Sequence, residues 1–282
     1  MFNKIAIIGV GLIGGSLGLE IKRKKLAREV VGCGRSRANL AVAKRRRLID
    51  EATTDLAKAV KDADLVVLGA PPRTIIGHIG RIGPILERGA IVMDVGSTKD
   101  KIVRAAEKYL PRTVHFVGAH PLAGAEKGGA WAALPGLFRG KRFVITPAKR
   151  TSRKALAVAK RFWKKMGSET IILSPERHDR ILSATSHLPQ IVASALMKTI
   201  GNALSFSEMK KMGGGGLKDT TRIAASPAEM WTHICLENRE NLLKSLRKFE
   251  SELKRVVGLI EKKNAGPLKK YLERASELRR KL

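Results

Sequence analysis

A short apolar run near the start of the chain ends in Gly9-Val10-Gly11-Leu12-Ile13-Gly14, and a helical pattern follows at once. Few local signals restrict a fold so tightly. The first glycine permits a sharp turn out of a strand. The second lets a pyrophosphate approach the backbone, and the third lets helix and strand pack closely. The helix that opens here offers free N–H groups and the positive end of its dipole, which together hold phosphates. Such glycines alone are weak evidence. Directly after a strand, and inside a strand-helix-strand pattern, they predict a dinucleotide-binding domain with Gly9, Gly11, Leu12, Ile13 and Gly14 at the cofactor.

The pattern continues. Apolar β-rich runs at 5–8, 30–33, 65–69, 91–95 and 115–118 alternate with helical stretches at about 12–25, 37–47, 74–87 and 98–108. Alternation of this kind predicts a mainly parallel sheet built from βαβ units. Two more strands, at 143–146 and 170–173, flank a helix at about 151–166. Beyond Pro175 no convincing strand appears. Helices read at about 176–200 and, after a turn at Gly201, on to about 211, then Gly213–Gly216 form a break. Ser226, Pro227 and Glu229 look like a helix start, with serine as cap. The helix they open is expected to run to about 263, where Gly266 and Pro267 follow, and a basic helix closes the chain. The expected fold class is α/β: a Rossmann-type doubly wound domain over 1–174, then an all-α domain over 175–282 for substrate binding and dimerisation.

Leu242, Leu246, Phe249, Leu253, Val256 and Ile260 recur in the long helix at heptad-like spacing. So small a helical domain does not easily cover such a stripe, so a homodimer joined through it is expected.

Charge raises a different possibility. Lys and Arg number 55 against 25 Asp and Glu, a formal balance of +30. Such a balance suits a nucleic-acid partner or a field that draws small anions. The basic residues are spread along the whole chain, however, and only 4% of residues are aromatic, so no stacking platform accompanies them. A generally basic surface, with no nucleic-acid partner, is the simpler expectation. Cys33 and Cys235 show no metal-ligand or redox spacing, so no metal site is expected, and they suit a reducing, cytoplasmic setting. The glycines at 9–15 argue against reading the first apolar run as a signal peptide, and no stretch is long enough to span a bilayer.

An acidic residue about 20 positions past the glycines would mark NAD. Here the segment reads Gly34-Arg35-Ser36-Arg37. Without a carboxylate, and with Arg35 and Arg37 able to pair with a 2′-phosphate, NADP is favoured over NAD.

Ligands in doubly wound sheets bind beyond the carboxyl ends of the strands. Ser97 and His120 each lie just past such an end. Taken singly, Ser97 reads equally well as a helix cap and His120 as a loop histidine. Ser183 and His187 stand four apart on one helix and share a face. Pro189 implies a kink, and Asp219 with Arg222 resembles an ordinary surface ion pair.

Together and in order, Gly9–Gly14, Asp94-Val95-Gly96-Ser97-Thr98-Lys99, Gly118-Ala119-His120-Pro121-Leu122-Ala123-Gly124, Ser186-His187-Leu188-Pro189 and Asp219-Thr220-Thr221-Arg222 resemble the prephenate/arogenate dehydrogenases, from residue 4 to about 262. The resemblance implies oxidative decarboxylation with an NAD(P) cofactor, on the route to tyrosine. It makes His120 the base that takes a hydroxyl proton and Ser97 the residue that orients it. Arg222 becomes a carboxylate binder, with His187, Ser183 and Glu126 lining the pocket and Trp231 reaching in from a partner subunit. Gln190 stands where many relatives carry a second histidine. Neither an ACT domain after these segments nor a chorismate mutase segment before them is expected. A β-hydroxyacid dehydrogenase, with Lys198 as catalytic lysine, and a nucleic-acid-binding scaffold protein are the alternatives.

Overall fold

The computed structural model describes residues 1–124 and 128–282. Among them, eight strands form one sheet: β1 Phe2–Ile8, β2 Ala27–Cys33, β3 Glu51–Thr53, β4 Leu65–Leu68, β5 Ile91–Asp94, β6 His115–Pro121, β7 Arg142–Pro147 and β8 Glu169–Ile172, in spatial order 3-2-1-4-5-6-7-8. Neighbours run parallel except β6 and β7, which are antiparallel. The carboxyl ends of β1, β4, β5 and β6 therefore emerge along the same sheet edge.

Six helices belong to this sheet: α1 Leu12–Arg23, α2 Arg37–Arg45, α3 Leu56–Val60, α4 Pro72–Ile82, α5 Asp100–Tyr109 and α6 Arg153–Lys165. They cover both faces because the strands are apolar on both. In β1, Ile5 and Ile7 join one core with Leu17, Ile21, Leu40 and Trp163, while Ala6 and Ile8 join the other with Val60, Ile75, Ile79 and Ile102. The period of two that sends neighbours to opposite faces is plain here. Strand β3 escaped the sequence reading. It is three residues long at the sheet edge and mostly exposed, so it has no apolar run to betray it.

The later helices are α7 Pro175–Leu182, α8 Leu188–Ala203, α9 Phe206–Met212, α10 Gly215–Thr221, α11 Ala228–Glu237, α12 Arg239–Glu261 and α13 Ala265–Arg280. By contacts the chain falls into two units, Met1–Asn238 and Arg239–Leu282. The first holds the sheet and α1 to α11, the second α12 and α13.

Several expectations are corrected here. The helix anticipated over 176–200 is interrupted by a π-helical turn, Ser183–His187, closed by the Leu188 N–H on the Ser183 carbonyl. Pro189 sits in the first turn of the helix that restarts, where its missing N–H costs nothing. The turn expected at Gly201 falls later: α8 runs through Gly201 to Ala203, and Ser205 caps α9. The glycine run breaks the chain only at Gly213 and Gly214, since Gly215 and Gly216 already lie in α10. Ser226 does not cap: α11 starts after Pro227, with no side-chain cap. The long helix expected from there to about 263 is two helices, separated at buried Asn238. Gly266 and Pro267 lie in the first turn of α13 rather than stopping its predecessor.

Candidate active site

The glycine turn after β1 divides its work. Gly9 has φ +99°, and a Cβ there would lie 2.4 Å from the Gly69 carbonyl oxygen. A Cβ on Gly14 would lie 2.1 Å from the carbonyl oxygen of Gly9. The protein's own packing thus demands both. Gly11 is different: it caps α1 in an extended conformation, and nothing lies within 4 Å of the position a Cβ would take. The open space is where backbone can be approached, at a helix start whose first N–H groups, at Leu12 and Ile13, have no intrahelical partner. These residues fit the pyrophosphate of a dinucleotide.

Ser36 caps α2 by accepting the Asn39 N–H at 3.1 Å. Asn39 in turn donates to the Val10 carbonyl at 2.8 Å and so ties the first turn of α2 to the glycine turn. Arg35 and Arg37 are exposed beside them. Arg35 lies 3.6 Å from Glu229, with both side chains largely in solvent. No carboxylate closes β2, which ends Gly32-Cys33 before Gly34.

His120 lies in the last residues of β6, half-buried. Desolvation, reinforced by His178, Lys99 and His187, holds its imidazole well below the usual histidine range. Its Nδ1 is 2.9 Å from Nε2 of His178. Ser97, expected to orient His120, is half-buried just past β5, but the ring partner at Nδ1 is His178. Nor does Ser97 cap a helix: α5 starts only at Asp100. Beneath this edge Lys99 and Asp94 form a fully buried ion pair, and Lys99 also donates to the Ala119 carbonyl at 2.8 Å. Asp94 accepts the Gly96 N–H at 2.9 Å. The pair thereby fixes the loop carrying Ser97 and the strand carrying His120.

The helical residues converge on the same unit. Ser183 is buried and donates to the Arg180 carbonyl at 2.7 Å. His187 is buried, with Nδ1 3.1 Å from Nδ2 of Asn238. The same Nδ2 donates to the Asp179 carbonyl at 2.7 Å, so Asn238 points its amide hydrogens at His187, and His187 carries its own proton on Nε2. Burial lowers His187 to about 4. A π-turn re-aims side chains relative to an α-helix, which is how Ser183 and His187 come to be presented here. Within its own chain Trp231 packs edge-on against His187, at 5.9 Å between ring centroids. Arg222 opens the 3-10 turn Arg222–Ala225, which packs on α8, and its side chain is exposed. Glu126 lies outside the described residues. Gln190 is buried, and its Oε1 has no hydrogen-bond partner among the described residues. Lys198, the lysine on which a β-hydroxyacid dehydrogenase would rest, is exposed on α8.

The sequence reading missed His178, Asp179 and Asn238. A signal existed for one of them: Asp179, Ser183 and His187 are spaced by four, the interval that aligns side chains along a helix.

Residues 17–172 match the family model described as "Prephenate dehydrogenase, nucleotide-binding domain", and residues 174–274 match "Prephenate dehydrogenase, dimerization domain". The prephenate dehydrogenase of Bacillus subtilis is 32% identical over 281 residues, which cover 99% of this chain and 76% of that protein. The cyclohexadienyl dehydrogenase of Zymomonas mobilis is also 32% identical over 281 residues, 99% of this chain and 96% of its own. Among solved structures, prephenate dehydrogenase from A. aeolicus in complex with hydroxyphenyl propionate and NAD+ is similar with a TM-score of 0.92 and 36% identity, over 100% of this chain and 98% of that one. Among the described residues no helix is long and apolar enough to cross a membrane.

Proposed function

Because this chain belongs to the prephenate dehydrogenase family, we propose that it is an oxidoreductase that converts prephenate, arogenate or both to 4-hydroxyphenylpyruvate or tyrosine by NAD(P)-dependent oxidative decarboxylation. The observation that carries this reading is the position of His120. It stands at the carboxyl end of β6, on the sheet edge where the Gly9–Gly14 turn leaves β1, in a chain matching the family over nearly its whole length.

A bound nicotinamide would supply the acceptor for the hydride of the hydroxyl-bearing ring carbon. Gly9, Gly11, Leu12, Ile13 and Gly14 hold the pyrophosphate. Arg35, Ser36 and Arg37 meet the adenosine ribose, and the lack of a carboxylate there favours NADP. His120 accepts the substrate's hydroxyl proton. The depressed basicity of this imidazole keeps it neutral, and therefore able to accept, at neutral pH. As the ketone forms, the ring carboxylate leaves as CO2 and the ring becomes aromatic. Arg222 clamps a substrate carboxylate through its planar fork. The Nε2–H of His187 supplies a neutral donor, and Ser183, Trp231, Glu126 and Ser97 complete the pocket. We assign 1–174 to the cofactor and 175–282 to substrate and dimerisation, in a cytoplasmic homodimer. The exposed Phe249, Leu253 and Ile260 of α12 support a dimer seam, and the free Cys33 and Cys235 suit a reducing compartment.

The test is formation of reduced cofactor at 340 nm, with prephenate and arogenate each paired with NAD and NADP. Turnover in any pairing is expected. No turnover in all four, from folded protein that binds cofactor, overturns the proposal.

A further inference from the structure

His178 joins two groups that are far apart in sequence. Its ring is fully buried, with Nε2 2.9 Å from Nδ1 of His120 and Nδ1 2.7 Å from Oδ1 of Asp179. The imidazoles meet edge-on, with centroids 5.1 Å apart. Asp179 is itself pinned. Oδ1 also accepts the Lys99 N–H at 2.7 Å, and Oδ2 accepts the Asp100 N–H at 2.9 Å, at the start of α5 where the helix dipole favours a carboxylate. The Asn238 amide holds the Asp179 carbonyl at 2.7 Å.

Hydrogen-bond polarity then runs one way. An ionised carboxylate only accepts. His178 must therefore offer Nδ1–H to Asp179, which leaves its Nε2 as an acceptor. His120 must in turn offer Nδ1–H to His178, which leaves its own Nε2 bare. Resting on the reading of His120 as the base, we propose that His178 and Asp179 are positioning residues that lock His120 in the tautomer with an unprotonated Nε2, and so choose the atom that takes the substrate's hydroxyl proton. In that step the substrate O–H bond breaks and an Nε2–H bond forms. The resulting imidazolium keeps its Nδ1–H on His178, with the Asp179 charge one ring away. Desolvation depresses His178 as well, against the pull of Asp179, so the linking ring is neutral and can accept from His120.

The experiment combines kinetics with 15N NMR of histidine-labelled protein above pH 7, the His120 signals being assigned by their loss in His120→Asn. In wild type, His120 should carry its proton on Nδ1. Asp179→Ala removes the acceptor that fixes His178 and frees its ring to reverse polarity. His120 should then lose its exclusive Nδ1 protonation and populate the Nε2–H tautomer, and kcat should fall by at least about tenfold. KM and the cofactor Kd should stay within about threefold, since neither residue is placed against substrate or cofactor. His178→Phe keeps a ring without the acceptor and should lose as much. His178→Gln restores a carbonyl acceptor and should recover about tenfold over the phenylalanine variant.

Wild-type His120 protonated at Nε2 would overturn the proposal, as would Asp179→Ala with kcat within about threefold of wild type. Should Asp179→Ala fail to fold, the wild-type tautomer and the two His178 variants decide. If the wild type turns over neither substrate, the base assignment fails, yet the NMR measurement still decides the tautomer.

Discussion

Asn238 directs its Nδ2 at His187 Nδ1 over 3.1 Å, and the bond spans the two ends of the helical part of the first unit. A neutral His187 is therefore built into the fold. Its basicity is lowered from 6.5 to about 4 by burial. The unfolded chain takes up a proton below about pH 6.5, whereas the folded ring does so only near 4, so stability is complete above the first value and declines as pH falls toward the second. Over that window His187 alone accounts for up to about 3 kcal/mol of loss. Urea midpoints at pH 7.5 and 5 should fall accordingly in wild type, and the fall should be smaller in His187→Gln.

The two glycines of the turn should respond in opposite ways. Gly11→Ala adds a methyl to open space without backbone strain, so Tm should hold while cofactor Kd rises at least about tenfold, since the methyl stands where the pyrophosphate approaches. Gly14→Ala drives a methyl against the Gly9 carbonyl. It should lower the Tm or prevent folding outright. Thermal melts with and without cofactor separate the two.

For His120→Asn, substrate binding should stay within about tenfold while kcat drops by about 10²–10⁴. Turnover near that of wild type would remove His120 from the base role.

Arg222→Ala is expected to act mainly on KM, because a carboxylate clamp holds ground state and transition state alike. A kcat defect at unchanged KM would instead place Arg222 in the chemical step.

One subunit leaves Leu253 53% and Ile260 58% exposed on α12. Light scattering should give a dimer at micromolar concentration. Changing both to glutamate should give a monomer whose helical circular dichroism is retained, because neither side chain is buried in its own chain.

The parts of the molecule legible in advance were those where one short segment carries the whole physical reason. Gly9 to Gly14 is such a segment, since a turn, a close approach and a helix start are all local. The place of His120 at a strand end was legible, whereas the base role proposed for it came from the resemblance and not from its position alone. What stayed hidden was pairwise and distant. His178 and Asp179 read as the polar opening of an ordinary helix, and their importance comes from partners 58 and 80 positions away. Asn238 sat inside an apparently unbroken helical pattern, because nothing local announces that a buried amide is spent on His187 and the Asp179 carbonyl. The π-turn at Ser183–His187 was likewise invisible, since side-chain spacing does not distinguish one extra residue per turn from a regular helix.

The buried pair of Asp94 and Lys99 bears on how this chain can change through mutation. Removing either partner alone leaves the other charged and out of reach of water, at a cost of about 3–5 kcal/mol, comparable with much of a domain's net stability. Replacing both with well-packed apolar residues avoids that cost but gives up the hydrogen bonds to Gly96 and Ala119. Single-step routes away from the pair are therefore closed on both sides. The two positions form one mutational unit, and drift at neighbouring residues must work around them.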